Sequence, residues 1–451
     1  MAQYPLPGNI VARRMRKAAR VLVTSATLLT VARALSFSPA QESNARPAAR
    51  ARAATNHAAW VTGWGTSQQT LGDVQITNAT VRMIARVTIP GDSVRIRLDN
   101  TFGTEPVTIG RAYIGHRVQG AALAAGSNRP LTFDGTSEVA IPAGGSTWSD
   151  PARLSVLAQQ DLAVSLYIPG SNIRPSQHTG GVTTSYRSAD GSGDVTSEER
   201  RAPFGSTTTS LWWLKAIDVE SVSSPGAIVA FGDSITDGTC STLDAHDRWE
   251  DVLSVRLGLE HDGKAPRARG QDEGLKAMVN EGIGGNTITR EGLTPPADST
   301  PGVERLDRDV LSHHGVTDVI LFMGTNDIRR GATAAQVTAA MTSIVQKVKA
   351  KGIRVIGVTI IPRHNVAPTG TNTGWNVDKT QIKNEVNRWI RTKAPFDNVI
   401  DFDQVVRDPT NPDLMRPPFN CGDGIHPSPA GYYVMGKSVE LRLFHNSPAR
   451  R

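Results

Sequence analysis

The 451-residue chain is long enough for two domains that each bury a core, and 39 % hydrophobic and 20 % charged residues are ordinary for a globular protein. Its net charge of +7 comes from the amino-terminal segment, because residues 1–54 hold nine of the 49 Lys and Arg residues and one of the 42 acidic residues. The remainder has 40 basic and 41 acidic residues, a balance that argues against a nucleic-acid partner.

The amino terminus has the order of features found in an export signal. A basic run at residues 13–17 precedes a modestly apolar stretch at 21–31, and Ala-Arg-Ala at 32–34 resembles a cleavage site. We therefore predict a signal peptide over residues 1–34, an unstructured linker over 35–57 and a secreted protein, by either the general or the twin-arginine route. No later stretch has the roughly 20 apolar residues of a membrane span.

Residues 58–222 are predicted to be all-β. Apolar and polar residues alternate over 94–99, as in a strand with one buried face, and residues 81–89 and 162–166 have similar patterns. Turn-forming clusters with Gly, Asp and Pro separate such stretches, and no convincing amphipathic helix is present. Many short strands at this spacing favour a jelly-roll-like β-sandwich.

Strand–helix alternation fills residues 224–447. Short apolar runs rich in β-branched residues predict five strands, at 227–231, 277–280, 318–323, 354–361 and 398–402. The helical patterns follow N-cap candidates such as Thr333 and Ser428, and the last helix is predicted to run from Pro429 towards Phe444. The alternation predicts an α/β fold: a flavodoxin-like, three-layer α/β/α domain whose parallel sheet binds ligands beyond the carboxyl ends of its strands.

Four polar motifs, mostly glycine-rich, follow these strands or precede the last helix. Ser234 follows the first strand in Gly-Asp-Ser-Ile, Gly285 follows the second in Gly-Ile-Gly-Gly, and Asn326 follows the third in Gly-Thr-Asn-Asp. Asp423 and His426 form an Asp-x-x-His motif just before the last helix. Each motif alone is a common turn, but together and in this order they predict one composite active site at the carboxyl edge of the sheet.

This set of motifs resembles the SGNH subgroup of the GDSL-type hydrolases, which is named for the Ser, Gly, Asn and His of its four blocks. Ile235 stands in place of the leucine of the first block, a conservative departure. The β-rich half, with Trp-Val-Thr-Gly-Trp at 60–64 and Asn-Thr-Phe-Gly at 100–103, looks like the two-domain secreted bacterial members. The resemblance covers nearly everything after residue 58 and implies activity on acetyl, aryl or other short-chain esters.

Ester hydrolysis needs a nucleophile, a base and donors for the oxyanion, and the motifs contain all three. We assign Ser234 as the nucleophile, His426 as the general base and Asp423 as the carboxylate that orients the imidazole. The backbone N–H groups of Ser234 and Gly285, with the side-chain amide of Asn326, are assigned to the oxyanion hole. This chemistry implies no cofactor.

Several other polar residues receive structural interpretations. Asp233, Asp237 and Asp327 are interpreted as acceptors that hold the loops beside the catalytic positions. His246 and the pair at 313–314 lack partners at metal-ligand spacing, so solvated or helix-end histidines are expected and no metal site is predicted. The glycines near residue 285 lack the Gly-Lys-Ser/Thr of a phosphate loop.

The chain has two cysteines, Cys240 and Cys421. The first lies six residues after Ser234 and the second lies five before His426, so both belong to loops that meet over the predicted site. We hypothesise a disulfide between them, which export permits, with two buried free cysteines as the alternative.

The sequence thus predicts a secreted serine esterase that acts on a small-molecule or carbohydrate ester through an acyl-enzyme intermediate. The sandwich favours carbohydrate esters by association alone, and core packing is the expected role for most of its tryptophans, which are Trp60, Trp64, Trp148, Trp212 and Trp213. A long-chain lipase, an acyltransferase or peptidase with the same triad, and a non-catalytic carbohydrate-binding protein stay open. Acyl length, the natural alcohol and the oligomeric state are not determined by the sequence.

Overall fold

A computed structural model describes residues 58–262, 274–364 and 374–445. The predicted signal peptide and linker lie outside these residues. No helix within the described ranges is long and apolar enough to cross a membrane. All described residues belong to one contact unit, in which the β-rich and the α/β portions pack against each other.

The β-rich portion consists of antiparallel sheets. Its strands are β1 (Ala59–Gly65), β2 (Thr70–Leu71), β3 (Ala79–Val87), β4 (Gly91–Asp99), β5 (Val107–Ile109), β6 (Arg111–Gln119), β7 (Ala122–Leu123), β8 (Arg129–Leu131), β9 (Val139–Ile141), β10 (Ser146–Trp148), β11 (Ala152–Val156), β12 (Gln160–Ile168), β13 (Ser176–His178), β14 (Ser185–Arg187), β15 (Ser206–Thr208), β16 (Leu211–Trp212) and β17 (Leu214–Ser221). One large sheet has the order β1-β17-β4-β10, with β11 also on β4, and the other has the order β15-β14-β3-β12-β6-β7, with β8 also on β6. Two small sheets, β16-β13-β2 and β5-β9, complete it.

The alternating pattern at 94–99 has the predicted effect in β4. Val94, Ile96 and Leu98 are fully buried, whereas Arg95 and Arg97 between them are partly exposed on the other face. The chain from 58 to 222 contains no helix, so its predicted all-β character is confirmed.

The second portion is built on a parallel sheet. Its strands are β18 (Ala227–Gly232), β19 (Ala277–Gly282), β20 (Val316–Phe322), β21 (Arg354–Val358) and β22 (Asn398–Ile400). Their order is β19-β18-β20-β21-β22, the 2-1-3-4-5 order found in flavodoxin. The first strand therefore lies between the second and the third, which brings the loops after these three strands together at the carboxyl edge.

Eight α-helices accompany this sheet in the described residues: α1 (Ser234–Asp237), α2 (Trp249–Asp262), α3 (Gly302–Leu306), α4 (Thr325–Arg329), α5 (Ala334–Lys349), α6 (Val377–Thr392), α7 (Phe402–Val406) and α8 (Pro429–Ser438). Thr333 opens α5 with a capping box, and Ser428 caps α8, as predicted. The last helix is shorter than predicted, because a separate 3-10 turn spans Leu441–Phe444. Arg256 Nη1 donates to the carbonyls of Gly436 and Val439 at 2.7 Å each, which satisfies acceptors at the helix end.

The β-rich portion covers one edge of the parallel sheet. Strand β1 packs against the edge strand β19, and the Thr88 hydroxyl lies 2.9 Å from the Met278 N–H and 3.3 Å from the Met278 carbonyl. The Thr88 hydroxyl thus accepts from a backbone N–H that has no neighbouring strand on that side among the described residues, and its single proton has a shorter acceptor in the Gly63 carbonyl, at 3.0 Å.

A buried charge cluster joins the two portions next to this edge. Lys215 Nζ, from β17, lies 2.8 Å from Glu281 Oε2 and 2.9 Å from Asp309 Oδ1, and all three side chains are fully buried. Burial opposes ionisation of the acids, but the Lys215 charge holds the pKa of both below their usual values. His313 follows a helical turn, Asp307–Leu311, as a helix-end residue; it is buried rather than solvated, and its Nε2 lies 2.6 Å from Glu281 Oε1.

Candidate active site

A one-turn helix presents Ser234 at the carboxyl end of the central strand β18. Asp233 is the N-cap of this helix, and its Oδ1 accepts a hydrogen bond from the Ile235 N–H at 3.0 Å. Gly238 ends the turn with φ +102°, a conformation that favours glycine. The serine is thereby held at the start of a helix, where backbone N–H groups have no intrahelical partners.

Ser234, His426 and Asp423 form a continuous hydrogen-bonded chain. Ser234 Oγ lies 2.8 Å from His426 Nε2, and His426 Nδ1 lies 2.5 Å from Asp423 Oδ2. Because a carboxylate only accepts, Nδ1 carries the proton of a neutral ring and Nε2 is left to accept from the serine hydroxyl. Burial of Asp423 acts to raise its pKa, but hydrogen bonds from the His426 side chain and backbone outweigh this effect and lower the pKa of Asp423 to about 2.

Gly285 and Asn326 follow the two strands that flank β18. Gly285 has φ +72°, and the neighbouring Gly284 N–H donates to Asp237 Oδ2 at 2.9 Å. The Asn326 side chain donates from Nδ2 to the Asn286 carbonyl at 3.0 Å, so it reaches the turn that contains Gly285. An amide nitrogen carries two N–H donors, and this bond uses one of them.

The three neighbouring aspartates hold loops, as predicted. Asp233 caps the serine helix, Asp237 accepts from Gly284, and Asp327 accepts from the Ile288 and Thr289 N–H groups at 3.0 and 3.1 Å. Burial raises the pKa of Asp233 to about 6 and that of Asp327 to about 7, against the opposing effect of these backbone donors.

Residues 230–434 match the model of the GDSL-like lipase/acylhydrolase family. This part of the chain belongs to that family. The match spans the four motifs and the sheet that carries them, so the chain contains an acylhydrolase domain and is an ester hydrolase. A search of curated proteins found no match.

Several solved structures are similar to about half of this chain at low identity. They include a GDSL-like lipase from Bacteroides thetaiotaomicron (18 % identity, 48 % of this chain and 85 % of that chain, TM-score 0.34). Est24, a carbohydrate acetylesterase from Sinorhizobium meliloti, matches with 18 % identity over 47 % and 94 % (TM-score 0.34), and an aryl esterase from M. smegmatis with 20 % over 47 % and 94 % (TM-score 0.35). At these identities and TM-scores, the substrates of those proteins do not identify the substrate of this chain.

A disulfide between Cys240 and Cys421 fastens the histidine loop of the hydrolase domain to the serine loop. The Cys421 N–H donates to the His426 carbonyl at 3.0 Å, so the bond is anchored on the loop that bears the imidazole. Cys240 Sγ lies within 4.8 Å of ligand atoms of Asp423 and His426, but a disulfide sulfur is not the thiolate that metals prefer.

Sequence patterns missed two residues that connect the β-rich portion with the loops of the hydrolase domain. Arg305 is buried and donates to the Gly232 carbonyl at 2.8 Å and to Asn286 Oδ1 at 3.0 Å. His178, on β13, lies 3.0 Å from Asp237 Oδ1 through Nε2 and 2.8 Å from the Ser67 carbonyl through Nδ1. Neither has a local sequence signal, because its role depends on partners distant along the chain.

Arg363 is a third residue that the motifs did not identify. It follows β21 at the carboxyl edge, is 4 % exposed, and its guanidinium lies 5.2 Å from the centroid of the Trp375 ring. Burial and the charge of Arg329 lower its pKa to about 10. Its one sequence signal is a charge placed just after the apolar run and Pro362.

Proposed function

We propose that the hydrolase domain is a serine esterase in which Ser234 attacks the ester carbonyl. In this proposal His426 takes the hydroxyl proton and returns it to the leaving alcohol, and Asp423 stabilises the imidazolium that forms between these steps. Departure of the alcohol produces an acyl-serine. Water, activated by His426 as the same general base, then hydrolyses this intermediate. The hydrogen-bonded chain from Ser234 Oγ through the imidazole to Asp423, with links of 2.8 and 2.5 Å, carries the proposal.

We assign the oxyanion hole to the N–H groups of Ser234 and Gly285 and the amide of Asn326. Support comes from the position of these residues after three adjacent strands and from the second N–H of the amide, which its bond to Asn286 does not use. Loss of one such donor is expected to cost roughly 3–4 kcal/mol of transition-state stabilisation.

The proposed substrates are esters with short acyl groups, including aryl esters and acetylated carbohydrates. Glycine-rich loops at the serine favour a small acyl group over a long chain. We also propose that residues 224–447 form a three-layer α/β/α catalytic domain and that residues 58–222 form a jelly-roll-like accessory sandwich. The disulfide is consistent with a secreted protein, because such bonds persist in oxidising compartments.

Release of 4-nitrophenol from acetate, butyrate, octanoate and palmitate esters tests the esterase proposal. The wild type is expected to prefer the shorter esters, and Ser234→Ala is expected to lose several orders of magnitude in rate. Ser155→Ala, on the exposed face of β11, is the matched control and should retain full activity. Equal rates for wild type and Ser234→Ala would remove Ser234 as nucleophile, and a preference for palmitate would favour the lipase alternative.

The structure gives little support to a carbohydrate-binding protein without catalysis. Trp212 and Trp213 are buried, and Trp60 and Trp148 flank the Arg95 guanidinium at 4.5 and 4.8 Å, so these rings already have packing partners. Labelling with a fluorophosphonate probe separates the two functions, because only an activated serine forms a covalent adduct.

A further inference from the structure

His178 is a buried histidine of the β-rich portion that reaches a loop of the hydrolase domain. It lies on β13, and 2 % of its surface is exposed. Its Nδ1 lies 2.8 Å from the Ser67 carbonyl oxygen, and its Nε2 lies 3.0 Å from Asp237 Oδ1. Asp237 ends α1, the one-turn helix that begins with Ser234. The histidine therefore links a strand of the β-rich portion to the serine helix.

The other oxygen of the Asp237 carboxylate holds the turn that contains Gly285. Asp237 Oδ2 accepts from the Gly284 N–H at 2.9 Å. Gly284 and Gly285 are the central residues of this turn, which the Asn286 N–H closes onto the Ile283 carbonyl at 3.2 Å. One carboxylate therefore fixes the N–H group that directly precedes the assigned oxyanion donor.

Both partners of the His178 ring are hydrogen-bond acceptors. A backbone carbonyl only accepts, and so does an ionised carboxylate. A neutral imidazole has one N–H, so its other ring nitrogen would direct a lone pair at one of these oxygens. An imidazole is also a stronger base than a carboxylate, so a proton shared by the pair lies on Nε2 and not on Asp237. The geometry therefore requires an imidazolium beside a carboxylate.

Neither acceptor is free to turn away from the ring. The Ser67 hydroxyl donates to Glu281 Oε2 at 2.5 Å and accepts from Arg305 Nη1 at 2.9 Å, which fixes the residue whose carbonyl faces Nδ1. Asp237 is fixed by the Gly284 N–H on its other oxygen. A buried charge is tolerated where an opposite charge and hydrogen bonds compensate it, and the ring has both.

Arg248, Glu250 and Tyr432, which also lie beside this end of α1, have their own partners. Arg248 packs against the glycine that ends α1 and donates to a backbone carbonyl of the β-rich portion at 2.5 Å. Glu250 accepts from an asparagine amide, and burial raises the pKa of Glu250 well above its usual value, which favours the uncharged form. Tyr432 donates to a backbone carbonyl at 2.7 Å. Within the described residues it is His178 that donates to Asp237 Oδ1.

We propose that His178 is a positioning residue of the esterase: as an imidazolium it holds Asp237, and Asp237 holds the turn of the assigned oxyanion donor Gly285. The inference rests on the proposed esterase function and extends its machinery into the β-rich portion. Preorganised donors stabilise an oxyanion well because they need not reorient during the reaction. Loss of the imidazolium would let the turn move, and this would lower kcat more than it weakens substrate binding.

Rates of 4-nitrophenyl acetate hydrolysis test the positioning role. The rate is expressed per active serine, counted by titration with a fluorophosphonate, so that loss of folded protein is not read as loss of kcat. His178→Ala and Asp237→Ala are each expected to lower kcat about 10- to 100-fold with KM little changed, somewhat less than removal of an oxyanion donor. The double variant is expected to lose no more than Asp237→Ala alone, because both changes break the same chain of hydrogen bonds.

Asp237→Asn separates the hydrogen bonds from the charge. The amide oxygen can accept from the Gly284 N–H while the amide NH₂ donates to Nε2 of a neutral ring, so every link persists. We expect kcat to fall only about threefold, far less than in Asp237→Ala. Nitrogen-15 NMR of histidine-labelled protein at pH 7, assigned with His178→Ala or His178→Gln, is expected to show an imidazolium in wild type and a neutral, Nδ1-protonated ring in Asp237→Asn.

His116→Ala is the matched control, because His116 lies on β6 with its Nε2 2.9 Å from the Ser155 carbonyl of the same portion. Its kcat should equal that of wild type. A wild-type kcat in His178→Ala, or a neutral His178 ring in wild type, would overturn the positioning role while the esterase proposal stands. If His178→Ala does not fold, equal kcat values for Asp237→Ala and Asp237→Asn have the same meaning. If wild type shows no Ser234-dependent hydrolysis, the esterase proposal fails and the positioning role fails with it.

Discussion

Arg305 gives the most informative single perturbation, because its buried side chain joins the strand end before Ser234 and the turn that contains Gly285 to the β-rich portion. It donates to the Gly232 carbonyl at 2.8 Å, to the Glu281 carbonyl at 2.9 Å and to Asn286 Oδ1 at 3.0 Å. A further bond reaches Ser67 Oγ at 2.9 Å. Arg305→Met keeps the length of the side chain and removes every donor.

The expected loss follows from what remains unpaired. Asp309, 3.2 Å from Arg305, keeps Lys215 and Arg308 at 2.9 and 2.8 Å, so its charge stays compensated. Two buried oxygens, Asn286 Oδ1 and the Glu281 carbonyl, lose the Arg305 donor at about 1–3 kcal/mol each, whereas the Gly232 carbonyl keeps the Ile283 N–H at 3.3 Å. We therefore expect the free energy of unfolding to fall by about 3–5 kcal/mol, in the range for removal of one buried ionic partner.

Urea unfolding followed by tryptophan fluorescence at pH 7 measures this loss. In the same variant kcat is expected to fall about 10- to 100-fold with KM little changed, because Gly232 precedes the serine loop and displaced groups lose near-attack geometry. Arg308→Met is the matched control: it also faces Asp309 but does not contact Gly232 or Asn286, so kcat should persist. An Arg305→Met protein within 1 kcal/mol of wild type would refute the reasoning.

Three further predictions concern the catalytic loops. Asp423→Asn is expected to lower kcat by about 10⁴ in ester assays. Because the pKa of Asp423 falls from its usual 3.8 to about 2, the ionised carboxylate contributes about 1 kcal/mol of stability, discounted for partial exposure, which is present above pH 4 and declines towards pH 2. Urea midpoints of wild type and Asp423→Asn at pH 5 and pH 3 measure this contribution. Asp233→Ala should cost about 1 kcal/mol of cap energy that Asn preserves. Since burial raises the pKa of Asp233 to about 6, wild type should lose stability relative to Asp233→Asn as the pH rises from 4 to 7 in urea titrations. Cys240→Ser opens a link between residues 181 apart and should cost about 2–4 kcal/mol, while unreduced, denatured wild type should show no free thiol; two titratable thiols would contradict the disulfide with Cys421.

Local patterns predicted the elements of this fold well where burial and strand pairing coincide. In the run at 354–361, burial continues beyond the end of strand pairing, because the strand ends at Val358. The Ile360 N–H donates to Asn387 Oδ1 of α6 at 2.7 Å instead of to a neighbouring strand. Apolar character reports burial, not the identity of the hydrogen-bond partner. The predicted strand was therefore too long.

The candidate site divides in the same way. Ser234, Gly285, Asn326 and the Asp/His pair are recognisable because each lies in a short motif beside a strand or helix. Arg305 and Arg363 are not, because each acts on groups contributed by distant segments that only the folded topology brings together. Residues that support a site from outside its motifs require tertiary structure for their identification.

The threonine that covers Met278 has a consequence for the behaviour of the hydrolase domain in solution. A terminal strand of a sheet presents a row of unpaired backbone groups that recruits strands from other molecules. Here β1 of the β-rich portion packs against that strand, and the Thr88 hydroxyl accepts from one of its N–H groups, that of Met278. Removal of the first 222 residues would expose this strand edge to pairing with strands of other molecules. It would also remove Lys215, the ion-pair partner of Glu281 and Asp309. We therefore expect residues 223–451 produced alone to self-associate more readily than the whole chain.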